Sequence, residues 1–149
     1  WKQNNIGWYI AYGPAPLTKG IMPFSLRNLL KNIIETADTV TQTQATLRFG
    51  HETIVLPLVC LIGLNGFDRQ FYDLEELDVS GWLNFDVFPM AANIQFIFYR
   101  KDPKDKDVLF KIMLNEQEAK LPIPTDCAPY YHWTDFREIY LKKLNDYKE

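Results

Sequence analysis

The sequence predicts a protein of the α/β class, because helix patterns and strand patterns both occur along the chain. A strand pattern at residues 45–49 precedes Gly50-His51 and a long apolar run at 54–64. Two β-rich segments, 93–100 and 108–114, flank a polar turn and predict a hairpin. The clearest helix pattern repeats apolar residues at helical spacing on one face: Leu26, Leu29, Leu30, Ile33, Ile34 and Ala37.

Length and composition limit the class of protein. The chain has 149 residues, 47% of them hydrophobic, so it can bury a core as one domain or as a large part of one. A formal net charge of −3 gives no basic field that would attract nucleic acid or anionic lipid. The longest apolar run is interrupted by Pro57 and is shorter than the roughly 20 residues that cross a bilayer. We therefore expect no membrane span and no nucleic-acid partner.

The cysteines and histidines are few and widely separated. Cys60 and Cys127 do not have the spacing of a zinc finger or a redox motif. Cys60 lies in the apolar run, which favours a buried free thiol over half of a disulfide. His132 stands between Tyr131 and Trp133 and is predicted to serve packing. With only His51 besides it, the sequence predicts no metal site.

The N-terminal third predicts two helices and a strand. The first helix runs from Trp1 to Tyr12 and stops at Gly13. The amphipathic helix opens at Pro23-Phe24-Ser25, with Ser25 accepting a hydrogen bond from a first-turn amide. A polar linker follows at 39–43, and then the strand at 45–49. Arg48 is expected on the strand face opposite His51, in a surface or interface salt bridge.

His51, Glu52 and Thr53 lie between this strand and the apolar helix. An imidazole at that position stands beside free amides at a helix N-terminus, where the helix dipole favours an anion. Glu52 is a carboxylic acid that can donate a proton to a leaving oxygen, and Thr53 can add a weak hydroxyl contact. The residues alone leave a second interpretation open, in which the His-Glu pair begins a helix and has no chemistry. Pro57 is expected near the first turn of that helix.

The C-terminal half predicts fewer elements. Residues 65–92 fit no regular pattern, although Trp82 and Met90 are expected among their apolar anchors. The charged turn 101–107 reads as a solvated hairpin tip. Asp135 and Glu138 have the spacing of a capping box at the start of a last helix, through Ile139.

Several motifs resemble one enzyme family. Leu47-Arg48-Phe49-Gly50-His51-Glu52-Thr53, followed by Leu56-Pro57-Leu58, resembles the second signature of the histidine acid phosphatases. That signature is His-Asp, or His-Ala-Glu in the inositol polyphosphate branch, whereas Glu52 follows His51 directly here. Residues 89–93, 98–100, 121–124 and 130–133 also resemble the C-terminal end of this family, particularly its bacterial gut-type members. The resemblance covers nearly the whole chain.

The resemblance implies a mixed sheet flanked by helices, with residues 1–149 as the C-terminal part of a histidine-phosphatase fold. It implies phytase-like hydrolysis of phosphomonoesters, inositol polyphosphates among them, through a phosphohistidine and without a metal or other cofactor. His51 is implied to contact the phosphoryl group and Glu52 to protonate the leaving alkoxide. The family's nucleophile motif, Arg-His-Gly-x-Arg-x-Pro, does not occur in this sequence. We therefore expect a fragment that lacks its N-terminal half and has no turnover alone.

Three further expectations follow. A non-catalytic anion-binding or interaction module, derived from such an enzyme, is the alternative function. Without the missing half, the helix stripe and the strand at 45–49 are expected to expose an apolar patch or to cause self-association. Relatives of the resembled bacterial type are exported, which implies a periplasmic or otherwise exported protein.

Overall fold

A computed structural model describes residues 1–39, 45–102 and 104–147. In these ranges it contains five α-helices and a four-stranded sheet, which confirms the predicted α/β class. The helices are α1 (Lys2–Tyr12), α2 (Arg27–Thr39), α3 (Glu52–Ile62), α4 (Asn84–Val87) and α5 (Trp133–Asp146). The strands are β1 (Ile94–Tyr99), β2 (Leu109–Leu114), β3 (Gln117–Glu118) and β4 (Tyr131–His132). None of the described helices has both the length and the apolar character needed to cross a membrane.

Helix α3 forms the centre of the hydrophobic core. Residues 56–62 are all buried, and Cys60 is a free thiol with 2% of its surface exposed, as predicted. The helix ends at Gly63, whose φ of 79° favours glycine. The helix begins at Glu52, so Pro57 lies in its second turn rather than its first. Proline has no amide hydrogen, and the carbonyl of Thr53 therefore lacks its usual helical donor.

Helix α5 binds the C-terminal end of α3. The Tyr140 hydroxyl donates to the carbonyl of Ile62, and Lys143 Nζ donates to the carbonyl of Leu61 over 2.7 Å. These donors satisfy carbonyls that have no partner within α3. Burial raises the pKa of Tyr140 and lowers the pKa of Lys143. The last turn of α3 is thus fixed to the inner face of α5.

The predicted hairpin is confirmed. Strands β1 and β2 pair antiparallel from Ile94↔Leu114 to Tyr99↔Leu109. Strands β3 and β4 also pair with β2, and β4 places His132 opposite Leu109. All pairings among the described strands are antiparallel, so the mixed sheet implied by the resemblance is not observed there. Phe110 of β2 packs edge-on against the ring of Phe136 in α5, which fastens the sheet to the helical layer.

The predicted strand at 45–49 is not formed. These residues are exposed and have no regular structure, with Leu47 75% exposed and Phe49 94% exposed. A strand requires a neighbouring strand to pair its amides and carbonyls, and the described residues provide none here. Arg48 forms no salt bridge with an acidic residue in the described ranges, contrary to expectation. Its guanidinium donates instead to Asn32 Oδ1 and Thr36 Oγ1 of α2, each at 2.9 Å.

Two helix starts differ from their predictions. Ser25 lies in a 3-10 turn, Met22–Leu26, and its hydroxyl donates to the carbonyl of Met22 over 2.8 Å instead of accepting from an amide. Helix α5 begins at Trp133, so Asp135 lies within the first turn and is not the cap. Acidic Asp135 still complements the helix dipole at that end.

Among the remaining predictions of helix ends and buried residues, some are confirmed and others are wrong. Helix α1 ends before Gly13 as predicted. Trp82 is a buried anchor with 1% of its surface exposed, whereas Met90 is 99% exposed and anchors nothing. Ile139 is 39% exposed, because Phe136 and Tyr140 provide the inner face of α5. Thr39 is the last residue of α2, and the rest of the predicted linker lies outside the described residues.

A buried amide ties α1 to the loop before α4. Asn5 Nδ2 donates to the carbonyl of Trp82, and the Asn84 amide donates to Asn5 Oδ1, both over 2.8 Å. Asn5 is 1% exposed and its two partners, Trp82 and Asn84, are also buried. The Trp82 carbonyl and the Asn84 amide therefore cannot form hydrogen bonds with water instead if the Asn5 side chain is removed.

We expect Asn5→Ala to lower the free energy of unfolding by about 2–4 kcal/mol, because it leaves a buried carbonyl and a buried amide unpaired. Urea denaturation measures this change. Gln3→Ala, at an exposed position of the same helix, is the control and should change stability by less than about 0.5 kcal/mol. Equal losses in the two variants would contradict the assigned role of Asn5.

Candidate functional site

His51 lies at the exposed N-terminus of α3. It occupies the N-cap position in an extended conformation, with φ −114° and ψ 171°. Its carbonyl accepts from the amides of Ile54 and Val55 at 2.9 and 3.1 Å. Its side chain does not cap the helix. No side chain in the described ranges forms a hydrogen bond or ion pair with the ring, which leaves it available to solvent.

Glu52 and Thr53 are the first two residues of the same helix. Glu52 is exposed and Thr53 is half-buried. Amides at these two positions have no acceptor within a helix, and no other described group accepts from them. An imidazole, a carboxyl group and two unpaired amides therefore meet at one helix end, where the dipole favours negative charge. This set can contact an anion and exchange a proton.

Two surface depressions lie elsewhere on the described surface. One is lined by Phe24, Arg27 and Tyr147 among others, and the second follows the outer face of α5. Neither contains His51, Glu52 or Thr53. The catalytic roles of His51 and Glu52, and the weak binding role of Thr53, stay predictions.

A second cluster, around His132, was not predicted. The ring of His132 does not serve packing alone: Nδ1 lies 2.8 Å from Asp107 Oδ1, and Nε2 lies 2.9 Å from Asp126 Oδ1. Cys127 Sγ lies 3.8 Å from Nε2. Asp107 was expected at a solvated tip, but the pairing of β4 with β2 brings His132 to it. The sequence signal that could have predicted this cluster is the pair Asp126-Cys127 followed five residues later by His132.

Two carboxylates favour the charged form of His132. Hydrogen bonds that the ring donates to the carboxylates of Asp107 and Asp126 raise the pKa of the His132 imidazole. The same contact with His132 lowers the pKa of Asp126. Both ring nitrogens face a carboxylate oxygen, and only the doubly protonated imidazolium can donate to both at once. The cluster is therefore a bridge that is complete when His132 is charged.

Comparison with known proteins shows that the chain is distantly similar in sequence to a phosphatase. The chain is 24% identical over 115 residues to multiple inositol polyphosphate phosphatase 1 of Dictyostelium discoideum. The alignment covers 74% of this chain but 18% of that protein, so the chain spans less than a fifth of its length. No protein-family model matches the chain. The α/β fold is consistent with the C-terminal part of a histidine-phosphatase-like protein.

We expect the His132 bridge to make stability depend on pH. Because the folded-state pKa of His132 is raised, its contribution is complete below the unfolded value of about 6.5 and is lost as pH rises through the folded pKa. The lowered pKa of Asp126 makes its contribution complete above about pH 3.9 and lost as pH falls further. The stabilisation is thus greatest between these two limits.

Urea denaturation from about pH 4 to alkaline pH, with a chelator present, should show a stability difference between wild type and His132→Asn that shrinks as pH rises through the folded pKa of His132, because a neutral ring can donate to only one of the two carboxylates. His51→Asn is the matched control, since the ring of His51 has no partner among the described residues. A constant difference between wild type and His132→Asn at every pH would contradict the charged bridge.

Proposed function

We propose that this chain is the C-terminal part of a phosphomonoester hydrolase that acts through a phosphohistidine. The observation that carries the proposal is the exposed His51-Glu52 pair at the N-terminus of α3, beside two unpaired amides. Distant similarity to an inositol polyphosphate phosphatase supports a phosphorylated small molecule as substrate. Inositol polyphosphates are the first candidates.

In this proposal His51 binds the phosphoryl group that is transferred. An imidazole N–H can donate to a phosphoryl oxygen, and the amides of Glu52 and Thr53 point out of the N-terminal end of α3. Donors fixed before the reaction stabilise charge that develops on those oxygens in the transition state. Helix α3 holds them in place, because the seven buried residues at 56–62 prevent it from turning.

Glu52 is the proposed proton donor. A nucleophilic histidine from another part of the enzyme attacks phosphorus, and the bond between phosphorus and the leaving oxygen breaks. The protonated Glu52 carboxyl gives its proton to that alkoxide oxygen and becomes a carboxylate. In the second step the carboxylate takes a proton from water as the water oxygen displaces the histidine nitrogen. The donor is thereby restored.

The remaining groups of the site are proposed to come from residues outside this chain. The sequence has no Arg-His-Gly, and the relative is more than five times as long as the aligned region, since only 18% of it is covered. Residues 45–50 lead directly into His51 with exposed apolar side chains at Leu47 and Phe49. Such a segment suits pairing with a strand of an N-terminal half, which would place the nucleophile next to Glu52.

The alternative is a module that binds anions without catalysis. The exposed His51 ring and the unpaired amides support binding of a phosphate equally well, and binding alone needs no nucleophile. Turnover by the complete protein, and its dependence on Glu52, separates the two functions.

We expect the complete protein that contains this chain to hydrolyse inositol polyphosphates, and the 149-residue chain alone to show no turnover. In the complete protein, Glu52→Gln should lower kcat by ~10²–10⁴-fold, because the leaving alkoxide loses its proton donor. Phosphate release under saturating substrate measures this effect. Glu138→Gln, at an exposed position of α5, is the matched control and should leave kcat unchanged.

A kcat that is the same in wild type and Glu52→Gln would contradict the donor role. Family-like turnover by the chain alone would contradict the need for a second half. Saturable binding of inositol phosphate that is lost in His51→Ala, without turnover by the complete protein, would favour the anion-binding module.

A further inference from the structure

We propose that Asp126, Cys127 and His132 bind a zinc ion, at a site separate from His51 and Glu52. The three residues contribute a carboxylate oxygen, a thiolate and an imidazole nitrogen, all within 4.8 Å of one another. Zinc in proteins takes its ligands from these three groups. Three protein ligands leave the fourth tetrahedral position to water or to another donor.

The ligand spacing fits tetrahedral coordination. With bonds near 2.0–2.3 Å, tetrahedral zinc ligands are about 3.3–3.7 Å apart. Cys127 Sγ and His132 Nε2 are already separated by 3.8 Å. Asp126 Oδ1 and His132 Nε2 are 2.9 Å apart because a proton joins them, so zinc requires this pair to open by about half an ångström. Both aspartate and cysteine lie in the loop before β4, where such a change requires no movement of the core.

Asp107 orients the histidine for the metal. Its carboxylate lies 2.8 Å from Nδ1 and can hold a proton on that nitrogen, so that Nε2 is the nitrogen that coordinates once it has lost its own proton. Histidines that bind zinc commonly donate their second N–H to a carboxylate in this way. The ion would replace the proton that Nε2 shares with Asp126, and its binding therefore releases protons.

The scaffold holds the ligands from two directions. The β2–β4 pairing places His132 opposite Leu109, and the Trp133 amide donates to the carbonyl of Val108 over 2.8 Å. On the loop side, Thr125 Oγ1 donates to the carbonyl of Tyr130 over 2.6 Å and accepts from the Cys127 amide over 3.3 Å. A bound ion would join this loop to the edge of the sheet.

The donor set also selects the metal. Magnesium and calcium prefer oxygen ligands, so a site with one thiolate and one imidazole disfavours them. Cobalt(II) accepts the same tetrahedral ligands as zinc and reports a thiolate ligand by a charge-transfer absorption. It is therefore the probe for this site.

We expect the reduced chain, without an affinity tag, to bind one cobalt(II) with a thiolate charge-transfer band that zinc then abolishes. Cys127→Ser should lose the band and much of the affinity, whereas Cys127→His should retain binding without the band. Asp107→Asn should weaken zinc binding by about 10–100-fold, because the histidine loses its orienting partner. His51→Ala should bind as tightly as wild type.

Circular dichroism establishes that each variant is folded before it is titrated. A wild-type chain without the charge-transfer band would overturn the proposal. Equal zinc affinity in wild type and folded Cys127→Ser would overturn it too, as would a His51→Ala variant that loses binding, since the ion would then lie at the other histidine.

Discussion

The burial of α3 is the constraint on which the rest of the structure depends. Its residues 56–62 are enclosed by the core, and its last carbonyls are bound by Tyr140 and Lys143 of α5. With these residues buried and its C-terminal carbonyls bound, α3 has only its N-terminal end exposed among the described residues. Because that end carries His51 and Glu52, the packing of apolar side chains decides where the polar pair stands. Loss of the core would therefore remove the candidate site before any contact with substrate is lost.

The two ends of α3 are suited to different tasks. The C-terminal end is saturated by hydrogen bonds from a neighbouring helix, which makes it part of the scaffold. The N-terminal end keeps two amides without acceptors in the described part of the chain, and an unpaired amide favours a partner with negative charge. The exposed residues 45–50 adjoin this end. Both features are explained if a phosphate ester and a second part of the enzyme meet there.

The sequence predicts those elements whose side chains repeat at a local period. The stripe of α2, the β1–β2 hairpin and the buried helix after His51 depend on neighbours close in the chain, and all three are observed. The strand at 45–49 depends on a partner strand that the described residues do not supply. The His132 bridge depends on Asp107, which lies 25 residues away and meets the ring only through the pairing of β4 with β2. Local sequence patterns contain no information about contacts between residues that are far apart in the sequence.

The central claim is that the N-terminal end of α3 receives the phosphoryl group. A crystal structure of the complete protein with orthovanadate, which imitates the phosphoryl group in transfer, tests it most directly. The account predicts vanadate oxygens within hydrogen-bond distance of the His51 ring, with the Glu52 carboxyl at the position of the leaving oxygen. Vanadate bound at another place, with the His51 ring turned to solvent and no anion near the first turn of α3, would contradict the account.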